Sequence, residues 1–137
     1  MTSVDEPDAV RASVRIDATP EEVFPYLVDA SLLARWLADA ARSDPTAGGE
    51  IVLDMGAIEV RGTYLEVDVP HRVLFTWGVP GSDDLPVGGS TVEITLRAEG
   101  DETVVDLVHR GLAPAQRERH LEGWRSKLDG LRTASAR

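Results

Sequence analysis

Residues 114–132, PAQRERHLEGWRSKLDGLR, predict one long amphipathic helix that decides the fold. Its apolar side chains recur at spacings of three, four and three residues: Leu121, Trp124, Leu128 and Leu131. An α-helix turns by about 100° per residue, so these side chains lie on one narrow stripe. The stripe must be buried, and the sequence contains no second long helix. We therefore expect the preceding residues to supply the surface that buries it.

The residues before this helix are typical of an antiparallel sheet. Short apolar–polar alternation bounded by turn residues predicts about six or seven strands, at residues 10–16, 51–55, 57–69, 72–79, 91–97 and 103–110, with one edge strand within 38–45. The alternation changes phase within the strand at 57–69, which predicts a β-bulge near Gly62. Residues 80–89, rich in glycine and proline, predict a flexible loop.

Two short helices are expected between the first and second strands. Thr19 and Glu22 have the spacing of a capping box, in which each side chain binds a backbone amide of the first helical turn. Pro25 removes one backbone donor and should kink or shorten this helix. Asp29 or Ser31 can then cap a second short helix. The two helices would form a V beside the sheet.

Length and composition suit one domain without export signals. The 137 residues are enough for a core, with residues 1–9 expected as a loose tail and residues 10–137 as a single domain. The absence of cysteine excludes disulfides and fits a reducing cytoplasm. No apolar run approaches the roughly 20 residues that a membrane span needs. We therefore expect a cytoplasmic protein with no membrane insertion.

The net charge argues against nucleic acid as a partner. The chain carries 24 acidic and 14 basic residues, a formal charge of −10, which repels a phosphate backbone. Acidic residues interrupt the basic residues of the last helix, which we interpret as a solvated helix face: Arg117, Arg119, Arg125, Lys127 and Arg132.

These elements predict an α+β fold with an internal cavity. A sheet of short consecutive strands twists and curls, and one long amphipathic helix suits its concave face. Space left between sheet and helix is a candidate pocket with mostly apolar walls.

Six segments, in this order, carry a resemblance to a known family: residues 18–24 (ATPEEVF), 36–37 (WL), 48–49 (GG), 62–77, 103–111 and 123–131. From residue 10 to residue 131 the chain resembles the activator of heat-shock ATPase homologue-like branch of the START and Bet v 1-like (SRPBCC) superfamily, whose domains share a helix-grip fold. All three tryptophans fall on family positions. Pro25 within the first helix and Leu37, where an aromatic residue is common, depart from the pattern.

The resemblance implies the helix-grip fold and a ligand cavity. Relatives include lipid and hormone carriers, aromatic polyketide cyclases and dehydratases, and co-chaperone domains. Sites, rather than folds, decide function. Three hypotheses therefore stay open: a binding protein for a small hydrophobic or aromatic molecule, a cyclase- or dehydratase-like enzyme, and a chaperone-regulating or other protein-interaction module. A homodimer stays open as well.

The predicted cavity wall is mostly apolar and aromatic: Phe24, Leu33, Trp36, Tyr64, Phe75, Trp77, Leu121 and Trp124. Arg117 and His120 lie on or beside the apolar stripe of the last helix. They either meet a polar or anionic end of a ligand at the cavity mouth or extend into solvent. Tyr64 and Glu66 share a strand face, so one of them could supply a polar group inside the cavity.

The catalytic candidates are His109, His120 and Arg117, and the sequence assigns a role to none of them. His109 shares a strand face with apolar residues, so it is either a cavity group, a general base in the enzyme hypothesis, or a structural histidine. The three histidines lack metal-ligand spacing, and no hydrolase or nucleotide-binding motif occurs. We expect neither a metal nor a cofactor.

Gly123 interrupts the last helix next to Trp124. Glycine inside a helix costs about 1 kcal/mol relative to alanine. This cost predicts that a packed strand or a ligand approaches the backbone closely at Gly123.

Overall fold

A seven-stranded antiparallel sheet forms the body of the fold in the computed structural model, which describes residues 9–137. In chain order the strands are β1 (Val10–Ile16), β2 (Ala40–Ser43), β3 (Glu50–Asp54), β4 (Glu59–Asp68), β5 (Arg72–Trp77), β6 (Ser90–Glu99) and β7 (Glu102–Arg110). Their order across the sheet is β1-β7-β6-β5-β4-β3-β2. All but one residue of the predicted tail lie outside the described residues.

Three single helical turns connect β1 to β2, where two short helices were expected: α1 (Pro20–Val23), α2 (Pro25–Val28) and α3 (Ala30–Leu33). The predicted capping box is present, because Thr19 Oγ1 accepts from the Glu22 amide and Glu22 accepts from the Thr19 amide. Pro25 opens α2 as a separate turn, since it occupies the first helical position. Asp29 caps α3 by accepting from the amides of Ser31 and Leu32.

The predicted bulge in β4 lies between Tyr64 and Glu66, slightly beyond Gly62. The extra residue reverses the alternation, so Tyr64 is buried while Glu66 binds Arg72 on the opposite face of the sheet. Gly62 has a different role. A Cβ atom there would lie 1.8 Å from the carbonyl oxygen of Thr76, so only glycine allows β5 to approach this closely.

The long helix α4 (Pro114–Ser135) covers the inner face of the sheet. Trp124, Leu128 and Leu131 are buried as the spacing predicts, and Leu121 is half-buried against the core. The helix approaches β1 most closely. At its end the Arg137 guanidinium binds Asp17 and Glu22, which holds that end beside α1.

The outer face of the sheet carries a charge network across three strands. Glu93 on β6 accepts from Arg72 on β5 and from Arg110 on β7, each at 2.7 Å. Burial alone would raise the pKa of Glu93, but the two arginines outweigh it and lower that pKa. These side-chain bonds connect the neighbouring strands β5, β6 and β7.

Candidate functional site

A cavity of about 240 Å³ opens between the first half of α4 and the sheet. Its wall is mostly apolar and comes from the helix, from β5, from the β3–β4 loop and from the residues around Leu37 and Leu85: Leu37, Met55, Ile58, Trp77, Leu85, Gln116, Arg119, His120, Gly123, Trp124 and Lys127. Of the eight residues predicted as cavity wall, Trp77 and Trp124 line this opening. Leu85 belongs to the predicted flexible loop, where its amide bonds to Ser82 and its carbonyl accepts from Val79.

The helix presents a second stripe to this cavity, beside the buried apolar one. Its members are one, three or four residues apart and share a helix face: Gln116, Arg119, His120, Gly123, Trp124 and Lys127. Around the Cβ position of Gly123, outside its own helical turn, no described atom lies within 4 Å. The expectation that a strand packs against Gly123 is therefore wrong. Gly123 is exposed, and the space around its Cβ position is open at the edge of the cavity.

Four aromatic rings, which we call the ring cluster, pack together beside the cavity: Trp77, His109, His120 and Trp124. All of them except His109 line the cavity wall. The ring centroids of Trp77 and Trp124 are 5.0 Å apart, and those of His109 and His120 are 5.2 Å apart with nearly perpendicular planes. Trp77 Nε1 is buried and has no hydrogen-bond partner among the described residues. Edge-to-face and tilted contacts between aromatic rings contribute about 0.5 to 1.5 kcal/mol per pair beyond simple burial.

His109 is fully buried, and its hydrogen bonds define its tautomer. Trp124 Nε1 can only donate, so His109 Nδ1 accepts at 3.0 Å and carries no proton. The Ser90 hydroxyl donates to the carbonyl of Trp77 at 2.7 Å, which leaves its oxygen to accept from His109 Nε2 at 2.9 Å. His109 is therefore neutral with both nitrogens occupied, and no lone pair remains for a substrate.

The pKa of His109 agrees with this geometry. Burial, and after it the charge of His120, lower it from the ordinary 6.5 to about 3. A proton on Nδ1 would also face the N–H of Trp124. The site thus holds a neutral imidazole as a link between β7, β6 and α4.

His120 differs from His109 because it is half-buried and lines the cavity. Its Nδ1 lies 2.8 Å from the backbone oxygen of Gln116, so Nδ1 carries the proton and Nε2 keeps a lone pair. Burial lowers the pKa of His120, the Gln116 carbonyl opposes this effect, and the positive charge of Arg119 adds to it. Neutral His120 can accept one hydrogen bond from a molecule in the cavity.

Two cations stand at the solvent edge of the cavity. Arg119 is exposed and Lys127 is half-buried. An Arg119 guanidinium nitrogen lies 3.4 Å from the side-chain oxygen of Gln116. Among residues 9–137 neither cation forms an ion pair with a carboxylate.

Residues 17–136 match the model of the family described as activator of Hsp90 ATPase homolog 1-like protein. The chain belongs to this family. The resemblance inferred from the sequence is thereby confirmed. A search of curated proteins found no significant match.

Several solved structures share the fold of this chain. CalU16 from Micromonospora echinospora is 27% identical over 92% of this chain and 74% of its own length, with a TM-score of 0.77. Protein MLL2253 from Mesorhizobium loti is 20% identical over 92% and 95%, with a TM-score of 0.82. The Aha1 dimer from Colwellia psychrerythraea is 16% identical over 93% and 95%, with a TM-score of 0.80. These likenesses confirm the helix-grip fold.

Of the site residues predicted from the sequence, the structure brings Trp77, His120 and Trp124 together at the cavity. The others pack in or against the core and do not line the cavity: Phe24, Leu33, Trp36, Tyr64, Phe75, His109 and Leu121. The Trp36 indole donates to the carbonyl of Tyr26, and the Tyr64 hydroxyl bonds to Ser43. Arg117 Nε donates to the carbonyl of Leu112, and Glu66 lies on the outer face.

The cavity residues that the sequence interpretation missed are Leu37, Met55, Ile58, Leu85, Gln116, Arg119, Gly123 and Lys127. The missed residues on α4 do have a recognisable pattern in the sequence. They repeat with the helical period, as the apolar stripe does, but are displaced from it by about one position toward the N-terminus. Polar residues with this spacing also occur on solvent-exposed helix faces. The spacing alone therefore does not show that these residues line a cavity. Among the described residues no cluster of side chains could hold a metal ion, and no helix is long and apolar enough to cross a bilayer.

Proposed function

We propose that this protein binds a small, mostly apolar molecule in the cavity between α4 and the sheet. The observation that carries the proposal is Gly123, which opens space in the cavity wall at a helical position where alanine would be about 1 kcal/mol more stable. Gly123 is exposed and lines the cavity, so its lack of a side chain keeps the mouth of the cavity open. A ligand is the natural occupant of that space.

The cavity wall offers apolar contact and few polar groups. The indoles of Trp77 and Trp124 lie at its floor, and Leu37, Met55 and Leu85 surround them. Burying apolar surface contributes about 25 cal/mol per Å², so a ligand of modest size can bind through this wall alone. His120 Nε2 adds one acceptor that can orient a hydroxyl group.

The neutral dye N-phenyl-1-naphthylamine tests the proposal, because its fluorescence rises in apolar surroundings. We expect one dye to bind per chain, and we expect Gly123→Leu to weaken binding by about tenfold or more by filling the open space. Gly130→Ala is the matched control in the same helix, since its new Cβ would lie 3.9 Å from Trp36, an ordinary contact outside the cavity.

Two results would refute the proposal. One is the absence of dye binding to the folded parent protein. The other is equal dye affinity in the parent and Gly123→Leu proteins, because the dye would then lie elsewhere. Far-ultraviolet circular dichroism and urea unfolding of each variant separate a filled cavity from a damaged fold.

An enzyme of the cyclase or dehydratase type is a second candidate, and the free lone pair of His120 Nε2 favours it. In this alternative His120 would be the acid–base group, because both nitrogens of His109 are occupied. Turnover of an aromatic polyketide substrate that His120→Gln abolishes would support it. Retained turnover in that variant would exclude His120.

Chaperone regulation is a third candidate, favoured by the family match. A stimulated ATPase rate of an Hsp90 on addition of this protein would support it, and an unchanged rate would count against it. The Colwellia relative was solved as a dimer. Light scattering on this protein would show whether it also pairs.

A further inference from the structure

The charge at the cavity mouth is opposite to the charge of the chain. The protein carries a formal charge of −10, yet the charged side chains that residues 9–137 contribute to the cavity wall are Arg119 and Lys127. Lys127 is the only lysine in the sequence. Both cations therefore stand beside an apolar cavity in a protein whose overall field attracts cations and repels anions.

Within the described range, the only side-chain hydrogen bond of these two cations is the one that Arg119 donates to Gln116, on the same helix. Neither pairs with a carboxylate in the part of the chain that the structure describes. Most other arginines of the domain do form ion pairs, as Arg72 does with Glu93 and Arg137 does with Asp17. Arg119 and Lys127 also flank the cavity along one helix face, with Gly123 between them.

The position of these cations beside an apolar surface favours an amphipathic ligand. Trp77, Trp124 and Leu85 lie within the cavity wall and are buried, whereas Arg119 is exposed at its edge. A molecule that fits both parts needs an apolar body inside and an anionic group at the edge. A carboxylate suits such an edge, because guanidinium and ammonium groups bind it through charge-assisted hydrogen bonds.

We propose that the ligand is an amphipathic carboxylate, whose chain or ring lies against Trp77 and Trp124 and whose carboxylate binds Arg119 and Lys127 at the mouth. This proposal rests on the binding function proposed above and adds the chemical class of the ligand. It differs from the sequence expectation in the cations that it names, since Arg117 lies beside Leu112 and outside the cavity wall.

Three compounds with one tail and different head groups test this: octanoate, 1-octanol and octylamine. A cavity of about 240 Å³ has the volume of roughly eight water-sized groups at about 30 Å³ each, which suits an eight-carbon chain. Each compound displaces N-phenyl-1-naphthylamine from the parent protein and from the Arg119→Gln and Lys127→Met variants. Arg125→Gln is the matched control, because Arg125 is exposed on the same helix and lies outside the cavity.

We expect octanoate to displace the dye at about fivefold lower concentration than 1-octanol, with octylamine weakest. Arg119→Gln and Lys127→Met should each remove a large part of this preference, whereas Arg125→Gln should leave it intact. Added salt should weaken the binding of octanoate but not the binding of 1-octanol, because salt screens solvent-exposed ion pairs. The single lysine provides a further readout. Octanoate, but not 1-octanol, should slow amine acetylation of Lys127 in peptides analysed by mass spectrometry.

The proposal is overturned if 1-octanol or octylamine displaces the dye as well as octanoate does. It is also overturned if Arg125→Gln lowers octanoate affinity as much as the two cavity variants do. Dye binding with no displacement by any octyl compound refutes this proposal alone. No dye binding at all refutes the proposed function as well, so the two failures are distinguishable.

Discussion

Acidification is expected to destabilise this protein through His109, because the fold holds that imidazole neutral. Its pKa is about 3 in the folded chain and 6.5 in ordinary surroundings. Between these values the unfolded chain binds a proton that the folded chain does not. A folded-state pKa below the unfolded value means that stability falls as the pH falls through 6.5. From about pH 7 to about pH 5 this single group should remove about 2 kcal/mol of unfolding free energy.

The matched variant is His109→Gln, which cannot titrate in this range. Its carboxamide oxygen can accept from Trp124 Nε1 and its nitrogen can donate to Ser90, so both bonds have a replacement. Urea unfolding of both proteins, followed by tryptophan fluorescence at about pH 7 and about pH 5, gives the loss of stability in each. His120 and the carboxylates titrate in both proteins, so the difference between the two losses isolates His109.

We expect the parent to lose about 2 kcal/mol more than His109→Gln over this interval. If the parent and His109→Gln proteins lose the same stability within about 0.5 kcal/mol, the reasoning is refuted. His109 would then have the same pKa in the folded and unfolded chains. The absolute stability of the variant at neutral pH does not enter this test.

Two further predictions concern the sheet. Glu93→Gln should lower the unfolding free energy by about 1 to 2 kcal/mol in urea unfolding, because Glu93 accepts from two arginines and its side chain is only 18% exposed. Glu99→Gln is its control on the exposed end of the same strand and should change stability little; an equal loss in both would contradict the assignment. Gly62→Ala should cost about 3 kcal/mol or more, because its Cβ would meet the Thr76 carbonyl at 1.8 Å. A Gly62→Ala protein as stable as the parent in thermal unfolding would show that the strands can separate there.

Local sequence was sufficient for the strands and the long helix, although it predicted two short helices where the chain forms three single turns. The apolar stripe ending in Leu128 and Leu131 predicts its own burial, and the capping box at Thr19 determines where α1 begins. These features depend on residues within a few positions of one another, so spacing alone reveals them. The sequence predicted the position of the bulge in β4 less well. Gly62 marked the irregular region, but the register shift follows Tyr64, because cross-strand packing rather than the glycine itself places it.

The sequence by itself determined the antiparallel sheet, the helix that covers it and the membership of the family. Only the tertiary structure decided which face of α4 meets the cavity. The buried stripe packs against the sheet where the helix approaches β1, while the neighbouring stripe, with Arg119, Gly123 and Lys127, lines the space that remains. Spacing cannot separate these two stripes, because both repeat with the helical period. The packing of the helix against the sheet decides which stripe is buried and which one borders the cavity. That packing depends on contacts along the whole domain.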